Sequence, residues 1–119
     1  MADHRNKNVL ISGASIAGPA LAYWLNKYGF TVTIAERASV LRKGGYRIDL
    51  RGVATEVAER MGIAENIQKQ NTAMRGSSMM DRKGKRYVNL DDPNIFGMRQ
   101  TKDVEIMRRE LSGILYQIT

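Results

Sequence analysis

The feature that most constrains the fold is the run VLISGASIAGPALAYWL, from Val9 to Leu25. Its first residues, Val9-Leu10-Ile11, are a short apolar run that predicts a buried strand. Gly13 predicts a tight turn, and the apolar residues of segment 16–28 cover nearly the whole circumference of a helix, so this helix should be mostly buried. A second strand, TVTIA, follows at Thr31–Ala35. Strand, helix and strand within about 30 residues predict one βαβ unit of a parallel α/β fold.

The turn between strand and helix departs at one position from the G-x-G-x-x-G pattern of dinucleotide-binding folds. Gly13 and Gly18 occupy the outer positions, and Ser15 occupies the middle one, where the backbone approaches a pyrophosphate. A serine hydroxyl is small and can donate to a phosphate oxygen, and the helix that begins near Ile16 offers N–H groups and its positive dipole end. The pattern indicates a nucleotide site, and a turn that uses small residues only for close packing is the alternative.

An acidic residue supports the nucleotide interpretation. Glu36 ends the second predicted strand, 23 residues after Gly13. An acid about 20 residues after the turn hydrogen-bonds the ribose hydroxyls of the adenosine and disfavours a 2′-phosphate. The pocket is therefore expected to take FAD or NAD rather than NADP, and a solvated carboxylate at the end of a strand is the alternative for Glu36.

Composition narrows the classes of protein. The chain has 119 residues, one domain at most, with no cysteine and only His4, which excludes disulfides, thiolate metal sites and histidine-based metal sites or triads. The apolar stretch 14–25 is shorter than the about 20 residues of a membrane span, and no secretory signal is evident, so we expect a cytoplasmic protein without a membrane partner. The net charge of +7, from 19 basic and 12 acidic residues, favours an anionic partner. Because the basic residues are scattered, a nucleotide is favoured over a nucleic acid.

Further along the chain, the patterns predict a short strand at residues 47–50 and a helix at 53–61, to which residues 63–70 add one or two turns. They also predict a β-hairpin formed by residues 74–81 and 86–90, followed by a loop over residues 91–101. From Val104 onward, an apolar stripe formed by Met107, Leu111, Ile114, Leu115 and Ile118 predicts a helix. The fold class is therefore α/β, with a Rossmann-like βαβ unit on a parallel sheet and a β-hairpin that starts a second sheet.

The chain also resembles the FAD-dependent aromatic-ring monooxygenases of the p-hydroxybenzoate hydroxylase type, and it looks closest to their tetracycline-inactivating branch. The resemblance rests on GASIAG, the Glu36-Arg37 pair, GGYRIDL, RGVATEVAERMGIAENI, the DRKGK hairpin and EIMRRELSGIL. It spans nearly the whole chain, but members of the family are several times longer. It therefore implies that residues 1–119 are the N-terminal part of an FAD/NAD(P)-binding domain. On this resemblance the domain would be incomplete, and its remainder and the substrate domain would lie in the same enzyme or in a second chain.

Carried over by position, the resemblance implies that the FAD pyrophosphate is flanked by Gly13, Ser15, Ile16, Ala17 and Gly18. It implies that Glu36 holds the ribose, with Arg37 beside the adenine, and that Gly44 and Gly45 pass close to the flavin ring. It also implies that Asp49 and Arg108 contact FAD and that Arg42 lies near the region that receives NADPH. The loop that carries Arg42 differs from the family in length by one residue, and Tyr46-Arg47 replaces smaller residues.

The implied activity is hydroxylation of an aromatic or polyketide-like small molecule with NADPH and O2. The hard chemistry belongs to the flavin, and no residue is an evident acid, base or nucleophile, so no catalytic residue is predicted. Two alternatives remain open on the residues alone. One is an NAD-binding fragment of a dehydrogenase, and the other is a basic binding module without catalysis.

Overall fold

The computed structural model describes residues 6–41, 44–72, 77–90 and 102–119. Arg42, residues 74–76 at the start of the predicted hairpin and the predicted loop 91–101 lie outside these residues. The elements in chain order are β1 (Asn8–Ser12), α1 (Ala17–Lys27), β2 (Thr31–Ala35), β3 (Arg47–Leu50), α2 (Val53–Arg60), α3 (Ala64–Lys69), β4 (Ser77–Met80), β5 (Arg86–Leu90), β6 (Val104–Met107) and α4 (Arg108–Gln117). Within the described ranges, no helix has the length and apolar character needed to cross a membrane.

The chain forms two compact units. The first unit consists of Met1–Tyr46 together with Met107–Thr119, and the second consists of Arg47–Ile106. The first unit therefore contains β1, α1, β2 and α4, and it carries most of the predicted nucleotide-binding residues. The second contains the remaining helices and strands and carries Asp49.

The predicted βαβ unit is present in the first unit. β1 and β2 are parallel neighbours, in a register that places Val9 opposite Val32 and Ile11 opposite Ile34. α1 connects them, and the chain leaves it through Gly29, whose φ of +80° is accessible to glycine at little cost. The pattern of the sequence thus predicted both the type and the order of these elements, with helix ends that differ by about one residue.

The predicted burial of β1 and α1 is wrong in part. Ile11 and Ala22 are buried, but Leu10 on β1 is 72% exposed and Leu21 on α1 is 51% exposed. Alternate residues of a strand point to opposite faces of its sheet, so Leu10 lies on the face opposite to Ile11. Apolar periodicity reports what a side chain prefers, whereas burial also requires a second layer to pack against it.

The second unit has its own small core. β3 lies next to β6, and the buried apolar side chains among the described residues of this unit are Leu50, Ala58, Met61, Ile63, Ile67, Val104 and Ile106. β4 and β5 form the predicted antiparallel hairpin, with a register irregularity between Met79 and Met80. Its turn closes on Asp81, whose carboxylate accepts hydrogen bonds from the backbone N–H groups of Lys83 and Lys85, both at 2.9 Å.

The helix predicted from Val104 onward begins later than expected. Residues Val104–Met107 form strand β6, and helix α4 begins at Arg108. Val104, Glu105 and Ile106 are all buried, because this strand lies against β3 and its residue Ile106 also bridges to Asn71. Valine and isoleucine favour strands, and pairing with a strand distant in sequence makes this segment a strand, although its apolar spacing is also compatible with a helix.

Candidate functional site

The turn after β1 is shaped by two glycines, Gly13 through its backbone conformation and Gly18 through the lack of space for a side chain. Gly13 has a φ of +106°, and its N–H donates to the Ala35 carbonyl at 2.7 Å, which fastens the turn to β2. A Cβ atom on Gly18 would lie 1.9 Å from the Gly13 carbonyl oxygen and 3.3 Å from Cγ2 of Ile11. Gly18 therefore has a packing role, because α1 can start this close to β1 only without a side chain there.

Glu36 connects the turn to the segment after β2. Its carboxylate accepts one hydrogen bond from the N–H of Ala14 and another from the N–H of Ala38, each at 2.8 Å. The two bonds are made to different carboxylate oxygens. The residue is exposed, and a carboxylate has about four lone-pair sites. The same side chain can therefore hold the turn and still accept hydrogen bonds from the hydroxyl groups of a ligand.

Ser15, the residue at the middle position of the motif, is held from α4. Nη2 of Arg108 donates to the Ser15 hydroxyl oxygen at 2.8 Å, and the Ser112 hydroxyl donates to the Ser15 carbonyl, also at 2.8 Å. The N-cap of α1 is Ile16, and no side chain caps this helix. Ser15 therefore does not act as a helix cap, and its hydroxyl is positioned by an arginine 93 residues away in the sequence.

Arg108 is itself placed by the segment before β3. Its N–H donates to the Tyr46 carbonyl at 3.0 Å as α4 begins. Gly45 has a φ of +147°, and a Cβ atom there would lie 3.3 Å from Cβ of Arg108. The guanidinium can reach Ser15 because the stem of Arg108 passes close to a glycine.

These residues surround a cleft of about 200 Å³ in the first unit. The lining residues are Ala14, Ser15, Glu36, Ala38, Val40, Leu41, Gly44, Arg108, Arg109 and Ser112. Among the lining residues that the structure describes, Arg108, Arg109 and Glu36 are charged. The cleft can therefore bind a ligand that has an anionic group beside hydroxyl groups, as a nucleotide has.

The structure brings only some of the predicted binding residues to this cleft. Ser15, Glu36 and Arg108 line it. Gly13, Gly18 and Gly45 do not line the cleft, but they allow the close backbone and side-chain approaches that position its lining residues. Ile16, Ala17 and the exposed Arg37 are not among the lining residues. Asp49 lies in the second unit, where it accepts a hydrogen bond from Arg51 at 2.8 Å.

Two residues of α4 at the cleft were not predicted. Arg109 and Ser112 line the cleft, and neither is among the binding residues that the sequence predicts. A signal for Ser112 existed, because positions 108, 111, 112 and 115 form one helical stripe, and a serine on a stripe with Leu111 and Leu115 is a polar residue on an apolar face.

The parallel βαβ unit with a glycine turn and an acid after β2 defines a Rossmann-like dinucleotide-binding unit. No family model matches the chain. The chain is 45% identical over 109 residues to a flavin-dependent monooxygenase from an unknown prokaryotic organism, covering 92% of this chain and 28% of the relative. It is 38% identical over 114 residues to an FAD-dependent monooxygenase of Sarocladium schorii, covering 93% of this chain and 26% of the relative.

Among solved structures, the tetracycline destructase Tet(55) superposes with a TM-score of 0.79 at 41% identity, covering 99% of this chain and 28% of that one. The chain thus corresponds, in sequence and in fold, to the N-terminal portion of flavin-dependent monooxygenases. It spans less than a third of the length of the relatives that it matches. The predicted resemblance and the predicted fold class are both confirmed.

Proposed function

We propose that the protein is the FAD-binding portion of a flavin-dependent monooxygenase and that its cleft holds the ADP half of FAD. The observation that carries the proposal is the convergence of Ser15, Arg108 and Glu36 on one cleft at the glycine turn. A phosphate would meet the hydroxyl and the guanidinium, and a ribose would meet the carboxylate.

The hydrogen-bonding capacities of these groups fit such a ligand. A serine hydroxyl has a single proton, and the hydroxyl of Ser15 accepts a hydrogen bond from Arg108, so its own proton can be donated to a phosphate oxygen. A guanidinium has five N–H groups, and the bond to Ser15 uses one of them. The first N–H groups of α1, which no side chain caps, add further donors at the same turn.

The volume of the cleft also limits what it holds. Pockets for drug-sized ligands measure about 300–1,000 Å³, whereas this cleft measures about 200 Å³. It would therefore take the pyrophosphate and part of the adenosine rather than the whole of FAD. Residues outside this cleft would be needed to bind the flavin ring, which is consistent with a chain that spans less than a third of the length of its relatives.

The finer elements of the function are part of the same proposal. Bound FAD would supply the activation of O2 by which such enzymes hydroxylate an aromatic or polyketide-like small molecule, with NADPH as the reductant. The residues of this chain would bind and orient the cofactor, and the rest of the enzyme would come from the same chain or from a second one. The contribution of Arg42 to NADPH binding and the cytoplasmic location stay predictions.

The test is a titration of FAD into the purified protein, followed by the quenching of flavin fluorescence. We expect saturable binding that Ser15→Leu abolishes, because the leucine side chain would occupy the phosphate volume at the start of α1. Ser78→Leu is the matched control, since Ser78 is an exposed serine on the β4–β5 hairpin. Equal binding by Ser15→Leu and the wild type would refute the site, and binding of NAD without FAD would favour the dehydrogenase alternative.

A further inference from the structure

We propose that Ser112 is a positioning residue for the nucleotide site and that α4 acts through it as a brace on the glycine turn. This inference rests on the proposed function and adds a residue to it. Ser112 is 8% exposed, and its hydroxyl donates to the Ser15 carbonyl at 2.8 Å. Together with Arg108, it holds Ser15 by both its backbone and its side chain.

The Ser15 carbonyl needs a partner that α1 does not provide. The first carbonyl of α1 to accept a helical hydrogen bond is that of Ile16, which accepts from the N–H of Ala20 at 3.1 Å. Ser15 lies one residue earlier and is only partly exposed, so its carbonyl stands outside the helical ladder. Because polar groups removed from water require hydrogen bonds, the donation from Ser112 fixes the orientation of this peptide group.

The choice of serine at position 112 is not explained by the helix itself. Serine is a weaker helix former than alanine, and a serine inside a helix commonly returns its hydroxyl to a carbonyl of the preceding turn. Here the hydroxyl bonds instead to a residue 97 positions away, on a different element. The hydrogen bond therefore connects two elements rather than supporting α4.

The middle position of the motif is where such a brace is most needed. Glycine there lets the backbone approach a pyrophosphate, whereas serine adds a Cβ and an oxygen that must stay out of its path. A binding group has to be held within about 0.5 Å of its productive position. Arg108 fixes the direction of the hydroxyl and Ser112 fixes the peptide that carries it, so the turn can present a serine as a donor instead of an obstacle.

Three variants test the brace: Ser112→Ala, Ser112→Thr and, as a matched control, Ser78→Ala. Ser78 also uses its hydroxyl in a side-chain hydrogen bond, to Asn89 at 3.2 Å, but on the hairpin of the second unit. We expect Ser112→Ala to raise the FAD dissociation constant about fivefold, the worth of one neutral hydrogen bond. Threonine keeps the hydroxyl and should restore binding to within about twofold, as should the control. In the protein without FAD, backbone amides 13–18 should exchange with deuterium faster in Ser112→Ala alone.

The outcomes separate this proposal from the assignment of FAD. If the wild type binds FAD and Ser112→Ala binds it equally well, the brace is refuted while the FAD site stands. A loss that Ser112→Thr does not restore refutes it too, because the hydroxyl would then not be the cause. If the wild type binds no FAD, the assignment of FAD to the cleft fails, and hydrogen exchange alone then tests whether Ser112 holds the turn. Faster exchange in Ser112→Ala would support the brace, and unchanged exchange would refute it.

Discussion

Replacement of Gly18 by alanine is the sharpest test of how the glycine turn is built. The added Cβ would lie 1.9 Å from the carbonyl oxygen of Gly13 and 3.1 Å from its carbonyl carbon. Cβ atoms in proteins essentially never lie within 3.0 Å of a non-bonded heavy atom, so the Cβ atom and the Gly13 carbonyl oxygen would have to move apart by about 1 Å. Both partners are backbone, and no rotation of a side chain can relieve the contact.

The expected cost follows from two opposing effects. Overpacking in a filled interior costs about 1–3 kcal/mol, and a contact between two backbone segments belongs at the upper end of this range. Alanine is the better helix former by about 1 kcal/mol, which offsets part of the loss. We therefore expect Gly18→Ala to lower the free energy of unfolding by about 2 kcal/mol. This is a large fraction of the about 5–15 kcal/mol that stabilises a typical protein.

Gly113 provides the matched control in the same unit. It also lies in a helix, α4, and a Cβ added there would meet nothing within 4 Å. Gly113→Ala should therefore gain up to about 1 kcal/mol from helix propensity alone. Urea unfolding followed by far-ultraviolet circular dichroism measures both variants, and their effects should have opposite signs. Gly18→Ala as stable as the wild type would refute the close approach of α1 to Gly13.

Two further substitutions test residues that position the groups lining the cleft. Glu36→Gln replaces one of the two carboxylate oxygens that accept backbone N–H groups with an amide NH2 group, which cannot accept a hydrogen bond. We expect the free energy of unfolding to fall by about 1 kcal/mol and the FAD dissociation constant to rise about tenfold. Unchanged values of both would mean that the carboxylate neither holds the turn nor contacts FAD. Gly45→Ala places a Cβ at a φ of +147° and 3.3 Å from Arg108, so it should weaken FAD binding about threefold or more by moving the guanidinium away from Ser15. Gly113→Ala is its control, because a Cβ at Gly113 meets nothing within 4 Å and Gly113 does not line the cleft, and equal binding by the two alanine variants would contradict the role of Gly45.

The elements that could be predicted from the sequence are those fixed by local chemistry. The first strand, the helix and the second strand follow from apolar periodicity and from glycines at the turns, all within one short segment. The roles of Gly13 and Gly18 could be inferred for the same reason, because a tight turn and a close helix start are decided by residues adjacent in sequence. Glu36 was found by its spacing from the turn, although its bonds to the backbone of Ala14 and Ala38 were not foreseen.

The features that could not be predicted depend on contacts between distant segments. Val104–Met107 has an apolar spacing compatible with a helix, and its position beside β3 makes it a strand. The exposure of Leu10 likewise depends on what packs on the second face of the sheet, which periodicity does not report. Tertiary context overrides local propensity in both cases.

The exchange of glycine for serine at position 15 shows how a local motif can depend on a distant helix. In a pattern with three glycines, the turn would be complete within a few residues, because an unsubstituted backbone can approach a phosphate unaided. With Ser15 in the middle, the turn also needs a donor for its hydroxyl oxygen and a donor for its carbonyl, and both come from α4. Arg108 in turn requires the space left at Gly45. The structure of this glycine turn therefore depends on more than the GASIAG segment, and α4 is as much a part of it as the residues that follow β1.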